Sequence, residues 1–293
     1  MPRSEYEKQT ALITGASQGV GRALAHDLAR RGADIVLVAR SRERLDSVAN
    51  DIRTHGDARV EVIAADLSVR GTAEGIAREL DERGVSIDLL VNNAGMGAVG
   101  PFFDRPFEPN MQSVDLNITA LMELTHLLGR RMVERGRGGI INIWSVAGFQ
   151  PMPYQASYAA SKAFVLSFTE ALAEEVGARG VRVMASHPGP VATGFFDSTT
   201  ARMHPRASDP ARIAAETLDD FARGRSLSFP GRASDRATAF VSRILPRSAV
   251  AGIVGRFNRK NGYDRVDDVA LRDGVRSHHA EEGSLSSKDG IHA

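Results

Sequence analysis

Tyr158 and Lys162 are the pair in this chain best spaced for chemistry, and Ser145 stands a short way before them. If the segment from Ala156 is helical, residues four apart project from the same face and their tips converge. A phenol with an ordinary pKa near about 10 is a poor acid or base at neutral pH, but a neighbouring ammonium stabilises the phenolate and lowers that value. The spacing therefore predicts that Lys162 tunes Tyr158. Ser145 closes the apolar run Ile140-Ile141-Asn142-Ile143-Trp144 and can bring a hydroxyl to hydrogen-bond a carbonyl oxygen at the same point. Tyr-x-x-x-Lys alone recurs on helix surfaces by chance, so its meaning depends on the elements that position it.

Those elements alternate between strand and helix. The short run Ala11-Leu12-Ile13 leads into Thr14-Gly15-Ala16-Ser17-Gln18-Gly19-Val20-Gly21, and a helical pattern follows to Arg31. Strand, glycine turn and helix make a phosphate cradle, in which the backbone approaches the ligand and free N–H groups face it. The spacing Gly15-x-x-x-Gly19-x-Gly21 is wider than the generic G-x-G-x-x-G. Ile35 to Ala39 is apolar throughout, as in a buried parallel strand. Arg40-Ser41-Arg42 follows, where an NAD-binding protein usually places an acid for the ribose hydroxyls. Arg40 is therefore expected to meet a phosphate.

A third strand, Val60 to Ala64, ends at Ala65-Asp66-Leu67, where Asp66 can meet an adenine edge. The fourth, Ile87 to Val91, ends at Asn92-Asn93-Ala94-Gly95, and a long helix from Glu108 to about Arg135 carries Asn117. An asparagine in mid-helix ordinarily points at solvent. The fifth strand carries Ser145, the helix from Ala156 to Ala178 carries Tyr158 and Lys162, and a sixth strand, Val181 to Ala185, ends at His187-Pro188-Gly189. Pro190 to Pro210 has no period, contains Phe195 and Phe196, and reads as a lid beyond a strand end. A helix from about Ala211 to Gly224 and a strand from Ser226 to Phe229 complete the sheet. The expected fold class is α/β, a Rossmann-type doubly wound parallel sheet of about seven strands in a single domain over 8–231. An amphipathic helical extension, broken at Pro246, is expected over 232–263, and a disordered tail over 264–293.

Composition narrows the function. Lys plus Arg, 37, nearly balances Asp plus Glu, 36, among 293 residues, so nothing points to nucleic acid. The absence of cysteine excludes disulfides, a thiol nucleophile and a cysteine-ligated zinc site, and no metal site is expected. No apolar run approaches the roughly 20 residues that span a bilayer, and residues 1–8 lack a signal-peptide core, so a cytoplasmic protein is expected.

Taken together, Thr14 to Gly21, Asp66, Asn92-Asn93-Ala94-Gly95, Asn117, Ser145, Tyr158-x-x-x-Lys162 and Pro188-Gly189 resemble the short-chain dehydrogenase/reductase family from about Thr10 to Phe229. The wider glycine spacing is that family's own. The resemblance implies NAD(P)(H) as cofactor and Tyr158 as proton donor to a carbonyl, oriented by Ser145. Lys162 would lower the phenol's pKa and hold the nicotinamide ribose, while Asn117 would break its helix locally and position a water in the proton relay. Cofactor contacts are implied for Gly15, Ser17, Gln18, Gly19, Val20 and Gly21 in the turn, and for Arg40, Ser41, Asp66 and Leu67 toward the adenosine. Asn93, Ala94, Gly95, Pro188, Gly189 and Val191 would line the rest, with Thr193 on the carboxamide. Two residues depart from the commonest pattern: His187 stands where asparagine is frequent, and Gln18 where a basic residue often assists NADP, which leaves Arg40 more of that role.

The expected activity is NADP(H)-dependent interconversion of a carbonyl and a secondary alcohol. A non-catalytic NADP-binding sensor or scaffold is the rival from another class. Met96, Phe149, Met152, Pro153, Tyr154, Phe195 and Phe196 flank the site, so the substrate is expected to be lipophilic, although many of these residues can equally be packing. Between Arg232 and Lys260, apolar residues such as Phe240, Ile244, Ile253 and Phe257 alternate with arginines. This composition fits an interfacial membrane helix. It fits equally a helix packed on the domain or on a partner, and packing is the favoured reading, within a homodimer or homotetramer.

Overall fold

Apolar runs that alternate between two covered faces make a sheet with helices on both sides. The computed structural model describes residues 6–191, 207–232 and 245–266. Its strands are β1 (Thr10–Thr14), β2 (Asp34–Ala39), β3 (Val60–Ala64), β4 (Leu89–Asn92), β5 (Gly138–Ile143), β6 (Val181–Ser186) and β7 (Leu227–Ser228). All pair in parallel, in the order β3-β2-β1-β4-β5-β6-β7. Ala11, Ile13, Ile35 and Leu37 face one core, with Leu24 and Leu28 of α1 (Gly19–Arg30), Leu45 and Val48 of α2 (Arg42–His55) and Ile213 and Leu218 of a later helix. Leu12, Val36, Val38 and Leu90 face the other, against α3 (Thr72–Glu82) and the helices that follow β4. Period-two alternation along each strand assigns the side chains to these layers.

The helices after β4 are α4 (Glu108–Val114), α5 (Ala120–Arg135) and α6 (Ala156–Gly177), followed by α7 (Pro210–Ala222) and α8 (Arg247–Lys260). The long helix expected over Glu108 to Arg135 is interrupted by a π-helical turn at Asp115–Thr119. The strand order reverses between β1 and β4, which opens a crevice at their carboxyl ends, the place where open α/β sheets bind ligands. α8 begins directly after Pro246 and packs back on the domain, where the Asn258 side chain donates to the Pro153 carbonyl at 2.8 Å. The expected lid is described only at its ends, where Val191 bridges Ser208. Its residues 192–206 lie outside the described residues, as do most of the expected tail and 233–244 of the extension.

Candidate active site

The floor of the crevice is the glycine turn, and its shape is fixed from the neighbouring strand. Thr14 Oγ1 accepts from the backbone of Asn93 at 3.0 Å and of Ala94 at 2.9 Å, while Asn93 Nδ2 donates to the Thr14 carbonyl at 2.8 Å. A β-carbon on Gly21 would lie 2.3 Å from the Gly15 carbonyl, so this position admits only glycine. Gly21 therefore packs beneath the turn, against the Gly15 carbonyl and the Asn93 side chain. Gln18 precedes α1 without capping it through its side chain, so the first-turn N–H groups remain available to an anion.

Two cavities share Gln18, Asn93 and Gly95 and so form one groove. The first, of about 280 Å³, is lined by the expected Gly15, Ser17, Arg40, Ser41, Asp66, Leu67 and Ala94. Asp66 is held by Ser68, whose backbone and hydroxyl donate to its carboxylate at 2.9 and 2.7 Å. Ser41 caps α2 by accepting from the Arg44 backbone at 3.3 Å. Arg44 also lines this cavity and donates to the Gln18 side chain at 3.1 Å. The sequence reading missed Arg44 and Ser68. Arg44 was findable, since it lies one helical turn beyond Arg40.

The second cavity, of about 350 Å³, is lined by Gly19, Val20, Ser145, Tyr158, Lys162, Pro188, Gly189 and Val191. Its far wall is Met152, Gln150, Gln155 and, from the extension, Phe257, Asn258 and Tyr263. The polar Gln150 and Gln155 were not anticipated. Met96 lines the first cavity instead, and Phe149 lies buried against Trp144, His187 and Phe229, so it is a packing residue. His187, the departure from the family pattern, belongs to that aromatic cluster and lines neither cavity. Thr193, Phe195 and Phe196 lie outside the described residues.

Burial governs the ionisation of the catalytic candidates. Tyr158 is pushed up to about 12 by desolvation, against which a hydrogen bond with Ser145 acts. Lys162 is pushed down to about 8, also by burial. The expected lowering of the phenol by Lys162 is therefore not what the geometry gives. The ammonium nitrogen lies 5.8 Å from the Tyr158 ring centre and donates to the Ile143 carbonyl at 3.4 Å, and removal from water disfavours the charged form of each residue.

Asn117 is buried and does not point at solvent as a mid-helix asparagine ordinarily does. It sits in the π turn, where the wider winding rotates it inward. Its oxygen accepts from the Met96 backbone at 3.0 Å, and its amide donates to the Met96 carbonyl at 2.8 Å and to Ser161 Oγ at 3.0 Å. Ser161 in turn donates to the Tyr158 carbonyl at 2.7 Å. Asn117 thereby ties the loop after β4 to the turn of α6 that carries Tyr158. A β-carbon on Gly95 would lie 3.2 Å from Asn117 Oδ1 and 3.3 Å from Lys162 Nζ, so all three meet at one point of the groove.

The sheet is doubly wound, with a glycine turn after β1 and with Ser145, Tyr158 and Lys162 gathered beyond its carboxyl edge. The family described as "short chain dehydrogenase" matches residues 9–204, and the chain belongs to it. The very-long-chain 3-oxoacyl-CoA reductase of Mus musculus is 37% identical over 187 residues, 62% of this chain and 59% of that protein. The chain thus spans under two thirds of that relative's length. A short-chain dehydrogenase from Sphingobium yanoikuyae in complex with NADPH superposes with a TM-score of 0.72 at 34% identity, over 80% of this chain and 93% of that one. A short-chain dehydrogenase/reductase from Burkholderia phymatum in complex with NAD gives a TM-score of 0.72 at 25% identity, over 82% and 93%.

Proposed function

We propose that the chain is an NADP(H)-dependent reductase or dehydrogenase that interconverts a lipophilic carbonyl compound and its secondary alcohol. The carrying observation is the convergence of Ser145, Tyr158 and Lys162 at one end of a groove whose other end presents Arg40 and Arg44. The groove fits a nicotinamide dinucleotide by its glycine floor, the open first turn of α1 and the narrow passage that Gly95 leaves beside Lys162. The dinucleotide supplies or accepts the hydride.

The chain's own residues supply position and one proton. Tyr158, held neutral at physiological pH, is in the form that donates to a carbonyl oxygen, which is the form reduction consumes. Ser145 hydrogen-bonds the same phenol and offers its hydroxyl to the developing oxyanion. Lys162, pushed down to about 8 by burial, can hold a ribose hydroxyl and relay a proton, with Asn117 and Gly95 fixing its surroundings. Met152, Val191 and Phe257 make the substrate side apolar, and the acyl chain named for the mouse relative is a lipophilic carbonyl substrate of that kind. Exposed Met122 on α5 and Phe164 on α6 suit a homodimer or homotetramer.

Similar structures hold NADPH or NAD, so the cofactor preference rests on this chain's own residues. Ala39-Arg40-Ser41 offers a guanidinium and a hydroxyl after β2 and no carboxylate, which suits a 2′-phosphate. The test is a panel of ketones, aldehydes and alcohols assayed with each cofactor by absorbance. Turnover of a lipophilic ketone with NADPH is expected. Cofactor binding without turnover of any compound would instead mark a non-catalytic nucleotide-binding protein.

A further inference from the structure

We propose that the face around the mouth of the groove docks on an anionic lipid bilayer. α8 buries Val250, Gly255 and Asn258 and turns Ile253 and Phe257, 51% and 54% exposed, to solvent. Four residues apart, these two form one apolar ridge. The same helix carries Arg247, Arg256, Arg259 and Lys260 and no acid, and none of the four forms an ion pair among the described residues. A second exposed apolar group lies on the loop after β4, where Phe102, Phe103 and Phe107 pack edge to face and Phe103 is 93% exposed.

The two features flank one strip of chain. The Gly100 N–H donates to the Tyr154 carbonyl at 2.8 Å, and Asn258 donates to the neighbouring Pro153 carbonyl at 2.8 Å. Between them the strip contributes Met152 to the groove, and Phe257 lines the same cavity from α8. Apolar side chains on two sides of an opening, with uncompensated cations on one of them, match the interfacial helix pattern, in which the apolar ridge enters the headgroup layer and the cations meet lipid phosphates. A second copy of the chain would bring the same excess of cations to the contact. An anionic bilayer neutralises it. Docking would set the mouth of the groove against lipid, and it stands or falls independently of the reaction proposed above.

The test is co-sedimentation of the full-length protein with vesicles of phosphatidylcholine alone and of equimolar phosphatidylcholine and phosphatidylserine. Sedimentation with the anionic vesicles is expected, weakening as rising salt shortens the screening length to about 8 Å. Each cation near the surface contributes about five-fold, so Arg256→Gln with Lys260→Gln should lower the partition coefficient about ten- to thirty-fold. Ile253→Ser with Phe103→Ser should lower it about ten-fold through lost apolar burial. Both pairs replace exposed side chains, so their thermal midpoints should match the parent's. A protein that stays in the supernatant with anionic vesicles at low salt, or whose binding neither pair weakens, would overturn the proposal. So would equal binding to both vesicle types. If either pair splits a larger assembly in analytical ultracentrifugation, the face is a contact between copies and the proposal fails.

Discussion

The Lys162 ammonium nitrogen lies 5.8 Å from the ring centre of Tyr158, yet burial and not mutual attraction sets the charge of both. The pair is thus a neutral acid beside a lysine that titrates near pH 8, a combination suited to delivering a proton without first building a buried ion pair. Replacing Tyr158 by Phe keeps the ring and removes the proton. Turnover of the best ketone should fall about 100- to 10,000-fold, while the dissociation constant for NADPH changes little. More than a tenth of parental activity in this variant would remove Tyr158 from the proposed role.

The depressed pKa of Lys162 has a stability consequence with a definite sign. The unfolded chain holds this proton up to about 10.5, the folded chain only to about 8, so between these values the unfolded state binds more protons and stability rises with pH. The contribution is at most about 3.5 kcal/mol, at about 1.4 kcal/mol per unit. Lys162→Met has no such group. Its stability relative to the parent should be greatest below pH 8 and should decline as pH rises toward 10.5, measured by urea unfolding across that range. A difference that does not change with pH would show that Lys162 is not desolvated as the fold implies.

Cofactor choice is tested at the other end of the groove. A hydrogen bond to a charged group contributes roughly 1.5 to 3 kcal/mol, or about 10- to 150-fold in affinity. Arg40→Ala should weaken NADPH by that order and leave NADH nearly unchanged, and Arg44→Ala should act in the same direction. Adding Ala39→Asp to Arg40→Ala should reverse the preference by repelling the phosphate and accepting from free ribose hydroxyls. Titration calorimetry with both cofactors reads this. Parental NADPH affinity in Arg40→Ala would leave Arg40 as a solvated arginine at a helix start.

Gly95→Ala probes the narrow passage. The added methyl would lie 3.2 Å from Asn117 and 3.3 Å from Lys162, and Gly95 lines both halves of the groove. NADPH affinity should drop at least about ten-fold, because a methyl there crowds groups that must hold their geometry. An unchanged dissociation constant would move the cofactor path away from Gly95.

Much of this was legible because its causes are local. Runs such as Ile35 to Ala39 have no surface to offer water, so they could be read as buried strands, and Gly15 and Gly21 sit where a turn leaves no room for a side chain. Pro246 could be read as a break in the extension, because proline cannot continue a helix from within, and α8 begins directly after it. Asn117 shows the limit of residue type: taken alone it points at solvent, and only the resemblance implied a local break in its helix, at the place where the π turn lies. Phe149 and Met96 were left between pocket and packing for a related reason: residue type does not separate the two, and the structure puts Met96 on the groove and Phe149 against Trp144, His187 and Phe229. The ionisation of Tyr158 was misread because spacing reports a neighbour's charge and not the loss of water around it.

Gly255 stands where α8 crosses the strip before α6, and a methyl added there would sit 3.2 Å from the Pro153 ring. Pro153 lies five residues before Tyr158, so pressure on it reaches the start of α6 through the backbone. A position nearly a hundred residues downstream of the chemistry, outside the stretch that matches the family, is thereby mechanically in series with it. Substrate range in such an enzyme can drift through the far end of the chain while every residue that touches the reacting atoms stays the same.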